Sequence, residues 1–262
     1  MDQDLAQRIR AENRLTLALD IGERMLRCGA EIGRVEDTLR RICSAFGAER
    51  VDVFTITSGI VVTAMVPGAG AVTQTRRIRD TRSDFCRLDR LNALSRRICE
   101  SGMSESGITD ADIRAALEGI DEAPVYPLAA QLGFYALISA AFSLFFGGSW
   151  QDSAAAAVIG VLLRLAQGVF RRLGTNPFLE SVLCSFAGGL AAGAAARVGP
   201  AFHADRIAIG NIMLLIPGIA LTNAIRDMFA GDLISGLLRF AEALLLAVTV
   251  ALGFVLAARL FS

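Results

Sequence analysis

The chain contains no lysine, and its 262 residues include one histidine, one tryptophan and two tyrosines. A lone histidine, His203, leaves Ser-His-Asp and Cys-His chemistry without a base in the amino-terminal half. The five cysteines (Cys28, Cys43, Cys86, Cys99 and Cys184) show no CxxC spacing. With no histidine cluster beside them, a zinc centre or disulfide framework is not expected, and reduced thiols in a cytosolic compartment are. GxGxxG, P-loop, GxSxG and HExxH patterns are missing, so no cofactor or metal is expected. A formal charge of +0 gives no electrostatic footprint for nucleic acid or another polyanion. The absence of lysine reads as compositional bias. An apolar leader core is also lacking, since "MDQDLAQRIRAENR" is polar where a signal peptide would be greasy.

What is present is a division. Residues 1–127 hold most charges of both signs, and the remainder is largely Ala, Leu, Gly, Val and Ile. Mean hydropathy of +0.50 is high for a water-soluble protein, and its excess lies in that second part. The expected architecture is an α+β soluble domain over 1–125, followed by an all-α transmembrane bundle of about five helices over 126–262.

In the first part, Leu15, Ala18, Leu19, Gly22 and Leu26 recur at helical spacing, as do Val35, Leu39, Ile42 and Phe46, predicting two amphipathic helices. The Val/Ile/Thr-rich stretch from Val51, punctuated by Ser58-Gly59 and Pro67-Gly68, predicts two or three antiparallel strands. Phe85, Leu88, Leu91 and Ile98 mark another helix. Thr109-x-x-Asp112 opens a last one as a capping box. "CGAEIGRVE" gathers Glu31, Arg34 and Glu36 after Gly29. Two readings stand: a functional polar cluster at a helix start, or a glycine that ends one helix before acidic residues open the next.

The second part has an uncharged run from Leu128 to Trp150, long enough to cross a bilayer, which takes about 20 apolar residues. Five spans are predicted, at about 128–148, 153–171, 178–197, 206–225 and 236–258. Arg164 burdens the second by about 2.5–3.5 kcal/mol, against a gain of about 0.3–0.6 for each Leu-like residue. That span therefore inserts marginally and needs neighbouring helices or a polar cavity to face. The third opens on Asn176-Pro177 and carries Gly189-x-x-x-Gly193, a small-residue face for close helix packing. Gly147–Asp152 is free of arginine, whereas Arg171-Arg172 and Arg226 lie at the opposite ends of their spans. The positive-inside rule then places the amino-terminal domain in the cytoplasm, with Arg197, Arg206 and Arg259 against the trend.

"CGAEIGRVEDTLRRICSAFGAERVDVFTITSGIVVT" and "IPGIALTNAIRDMFAGDLISGLLRFAEA" resemble the amino-terminal and membrane signatures of the threonine/serine exporter (ThrE) family. The resemblance marks Pro217, Gly218, Asn223, Asp227, Gly231, Asp232 and Gly236, with Gly29, Ala30, Glu31, Arg34 and Glu36, as family-typical. Single-chain members carry a second membrane half, so the length here is similar to the YjjP-like type, whose members work with a separate smaller membrane subunit. The resemblance implies a multi-pass exporter subunit in a bacterial inner membrane, moving a succinate-like dicarboxylate or an amino acid such as threonine or serine. Implied partners are the lipid bilayer, that second subunit and/or further copies of the chain.

Physical reasoning adds roles. Pro217 beside Gly218 breaks the fourth span, and such breaks free backbone groups for substrate or ion binding. Asn211 offers an amide before the break. Arg164, Arg226 or Arg239 is expected to attract a carboxylate, and Asp227 or Glu242 to carry a coupling proton. Arg239, three residues before Glu242, is near enough to pair with it. The competing reading makes Arg226, Asp227, Asp232 and Arg239 interfacial charges of a solvated inner loop. A membrane-anchored sensor controlling a partner transporter is the alternative function, and a membrane-anchored enzyme is disfavoured by the missing triad.

Overall fold

A computed structural model describes residues 2–79, 81–101, 107–122 and 126–261. The chain divides into two compact units, Met1–Pro124 with Thr222–Arg239, and Val125–Leu221 with Phe240–Ser262.

In the first unit, α1 (Asp2–Arg27) and α2 (Ile32–Ala45) precede a meander of β1 (Arg50–Ile56), β2 (Gly59–Val66) and β3 (Gly70–Arg77). Antiparallel pairing in the order β1-β2-β3 sets Val53 against Val62 and Val62 against Gln74. Period-two alternation then puts Ile60, Val62, Ala64 and Val72 on the buried face. Against that face lie Leu15, Leu19 and Leu26 of α1 and Val35, Leu39 and Ile42 of α2, all buried in one core. Two further helices, α3 (Phe85–Ser101) and α4 (Asp110–Asp121), add Leu91, Ile98, Ile113 and Leu117. Each such side chain contributes about 1.5–3 kcal/mol through burial. Gly22 lets α2 approach, since a Cβ there would stand 3.0 Å from the Leu39 side chain. The Thr109 box forms as the spacing predicts, its hydroxyl accepting from the Asp112 N–H at 3.2 Å and the Asp112 carboxylate accepting from the Thr109 N–H at 3.0 Å.

The second unit is built of α5 (Leu128–Phe145), α6 (Trp150–Arg172), α7 (Pro177–Ala196), α8 (Ala204–Leu215) and the greater part of α10 (Leu233–Arg259). Between α8 and α10 runs α9 (Gly218–Phe229). Among the described residues, four helices are long and apolar enough to span a bilayer, and α8 with α9, bent by 52° at their junction, forms either a broken fifth span or a re-entrant loop. The chain is thus a multi-pass membrane protein, with a helical membrane half and a small three-stranded sheet before it. Small residues let the helices meet: a Cβ on Gly160 would stand 2.8 Å from the Tyr135 carbonyl oxygen, and one on Gly210 2.6 Å from that of Ser139. On α7, a Cβ at Gly193 would fall 2.6 Å from the Phe261 ring, the close packing anticipated for that face. Ile216 and Pro217 form the break before α9, where the Gly218 N–H bonds the Ile216 carbonyl at 2.8 Å. Pro217 has no N–H to continue the ladder.

Candidate functional site

Within the first unit, the two family-like stretches meet. Gly29 ends α1 with φ +88°. The N–H groups of Gly29 and Ala30 return to the carbonyls of Leu26 and Met25, both at 3.0 Å, a Schellman closure that needs the left-handed conformation. Gly231, at φ +99°, ends α9 the same way, with the Asp232 N–H on the Asp227 carbonyl at 3.0 Å. Both glycine-ended turns belong to one cluster.

At its centre, Asp227 is 1% exposed. Its carboxylate accepts from Arg239 Nη1 at 2.8 Å and from the backbone N–H of Ile32. That N–H is an orphan donor at the start of α2, where the N-cap residue Glu31 supplies no side-chain bond. A carboxylate from α9 therefore caps α2, at the positive end of its dipole. Arg239 also donates through Nη2 to the Ala30 carbonyl at 3.1 Å, and its side chain is only 14% exposed. Burial of such a pair is tolerable only when further hydrogen bonds satisfy both ions, as Ile32 and Ala30 do here. At the rim, Arg226 pairs with Glu31 at 2.8 Å, but its side chain is 66% exposed. Asp232 Oδ2 lies beside Gly33, 3.8 Å from where a Cβ would sit. Gly236 lets α9 and α10 close, since a Cβ there would stand 2.8 Å from the Ala224 carbonyl.

The remaining amino-terminal residues divide. Glu36 ties α2 to the sheet by accepting from the Thr55 N–H at 3.0 Å and pairing with Arg40 at 2.7 Å. Arg34 is exposed and makes no ion pair among the described residues. Asn223 is half-buried, one turn before Asp227 on α9.

The second unit holds a separate polar patch. Arg164 of α6 donates through Nε and Nη2 to the Gln131 Oε1 of α5, the former at 2.8 Å. Tyr135 donates to Gln167 Oε1 at 2.8 Å. Arg164 is half-buried and has no carboxylate partner among the described residues. Asn211 is fully buried, accepting from Ser139 at 3.0 Å and donating to the Ile207 carbonyl at 2.9 Å. Glu242 is exposed on α10 and unpaired among the described residues. The i,i+3 partner expected for it, Arg239, is committed to Asp227. Gln131, Tyr135 and Gln167 were missed as site residues, although Gln131 and Tyr135 stand four apart on α5, and Arg164 and Gln167 three apart on α6, the strides that share a helix face.

The threonine/serine exporter model, described as "Putative threonine/serine exporter", matches residues 16–261. The chain belongs to the ThrE family. That family comprises membrane exporters rather than enzymes. A "Probable threonine/serine exporter" of Mycobacterium tuberculosis is 27% identical over 94% of this chain and 46% of its own length. The "Threonine/serine exporter" of Corynebacterium glutamicum is 23% identical over 92% of this chain and 50% of its own. The chain thus spans about half the length of these two ThrE relatives. A "Probable succinate transporter subunit YjjP" of Klebsiella aerogenes is 25% identical over 89% of this chain and 88% of its own length. No solved structure matches the chain.

Proposed function

We propose that this ThrE-family chain is one subunit of an exporter for a small carboxylate, either threonine and serine or succinate, and that it works with a second membrane subunit. Its amino-terminal domain lies in the cytoplasm and its helices in a bacterial inner membrane. The observation that carries the reading is Arg164. A guanidinium on a membrane helix is expensive, and here its partner is the neutral amide of Gln131, so its positive charge is uncancelled. A substrate carboxylate can take the place of Gln131 Oε1 on that guanidinium edge, exchanging a neutral acceptor for a charged one. Arg226 and Arg239 already hold carboxylates, which leaves Arg164 as the substrate group among the three. By the same logic Asp227 is engaged by Arg239, and Glu242 is the carboxylate free to exchange the coupling proton.

Support for a two-part exporter comes from the relative named as a transporter subunit, 88% of whose length this chain covers. The test is reconstitution into liposomes loaded with labelled threonine or succinate. Efflux with this chain plus the second subunit, and not with either alone, is the expected result. Efflux by this chain alone would overturn the two-part reading, and efflux under neither condition would overturn export.

A further inference from the structure

We infer that the first unit carries a second anion site, a cavity beside α1 that takes a small carboxylate with a short apolar body. The cavity has a volume of about 180 Å³ and opens between α1, the end of α2 and β2. Drug-sized sites run to about 300–1,000 Å³, so this one suits a small metabolite. Its polar wall is one face of α1, where Gln7, Arg10 and Arg14 recur at helical spacing. Its floor is apolar, formed by Phe46, Ala64 and Val66. Among the described residues, no acidic side chain lines it.

The two arginines are what point to an anion. Elsewhere on α1, Arg8, Arg24 and Arg27 each hold a carboxylate, from Glu12, Asp121 and Glu23 respectively. Arg10 and Arg14 hold none among the described residues, and as like charges four apart on one helix they repel. Arg14 reaches the Phe46 carbonyl with Nη1 at 3.3 Å and stands 5.9 Å from the Phe46 ring centroid. Its Nε is buried without an acceptor among the described residues, and a buried donor left so costs about 1–3 kcal/mol. Cys43 also lines the cavity, and burial pushes its thiol up to about 12, so it stays neutral. A carboxylate would accept from the Arg10 and Arg14 guanidinium groups that line the cavity and relieve their repulsion, while its alkyl end covers the floor. Phosphate would set its remaining charged oxygens against apolar carbon, which is unfavourable.

The site involves none of the residues assigned to export, so its test is separate. Butyrate is titrated calorimetrically into the purified full chain in detergent, with inorganic phosphate and butanol as comparators. Saturable butyrate binding, with phosphate and butanol at least tenfold weaker, is expected. Arg10→Gln and Arg14→Gln should each weaken butyrate at least tenfold, and Ala48→Leu, which fills the cavity, should block it. Arg10 is exposed, so its variant keeps the test valid even where Arg14→Gln misfolds. Absence of saturable binding, binding unchanged in Arg10→Gln, or loss in Arg164→Gln would each overturn the assignment.

Discussion

Replacing Arg239 by glutamine should loosen the start of α2, more than 190 residues away in sequence, and by a large factor. The substitution leaves the Asp227 carboxylate, whose side chain is 2% exposed, with the Ile32 N–H but without its cation. Removing one partner of a buried pair costs about 3–5 kcal/mol. Amide exchange in α2 (Ile32–Ala45) reads local opening, so that cost becomes roughly two to nearly four decades of faster exchange at about 1.36 kcal/mol per decade. Two comparisons calibrate it. Arg226→Gln removes a pair whose arginine is 66% exposed, and should cost at most about 1 kcal/mol, under about tenfold in exchange. The double variant Asp227→Asn/Arg239→Gln removes both charges and should recover more than half of the Arg239→Gln loss. Hydrogen exchange by mass spectrometry on the purified chain measures all three. If Arg239→Gln and Arg226→Gln gave the same small acceleration, or if the double variant were worse than the sum of its parts, the burial argument would be refuted.

Further outcomes follow from the same geometry. Gly29→Ala forces an L side chain to φ +88° and should destabilise the first unit by about 1–2 kcal/mol, seen as a lower unfolding midpoint. Asp112 is held below the usual carboxylate range by the Thr109 hydroxyl and N–H. Because its folded value is depressed, its contribution is present at neutral pH and is lost as pH falls through that value. Asp112→Ala should therefore speed exchange in α4 at pH 7 and make no difference in strong acid. Cys86 is exposed, whereas Cys28 and Cys43 are buried and burial raises their thiols to about 11 and about 12. Iodoacetamide at pH 8 should label Cys86 and leave Cys28 and Cys43 intact, read by peptide mass. Glu242→Gln should reduce proton-driven efflux at least tenfold while sparing exchange of labelled for unlabelled substrate.

How much of this was legible in the chain depends on range. Helical periodicity, the Thr109 capping box and the Pro217 break are local, and each appears where its spacing puts it. Apolar run length marked the membrane helices, because a bilayer imposes a length that sequence shows directly. Partner choice was not legible. Spacing on one helix offered Arg239 to Glu242, yet Arg239 bonds Asp227 and the Ala30 carbonyl, since a one-dimensional stride says nothing about a neighbour from another element. Nor could it show that the end of α1 and the end of α9 build one cluster. Gly29 was visible as a helix end and Gly231 only as a family-typical position, and the bond from Asp227 to Ile32 exists only once both turns are folded. Arg164 marked a span that needed neighbours or a polar cavity, but its actual partner, Gln131, stood unremarked in the uncharged run of α5.

The central proposal, that Arg164 meets the substrate carboxylate, is tested most directly by efflux from liposomes holding this chain with the proposed second subunit. Arg164→Gln should lower efflux of labelled threonine or succinate at least tenfold, with Arg164→Lys falling between it and the unaltered chain. Efflux unchanged in Arg164→Gln, with equal amounts of folded protein in the bilayer, would contradict the account.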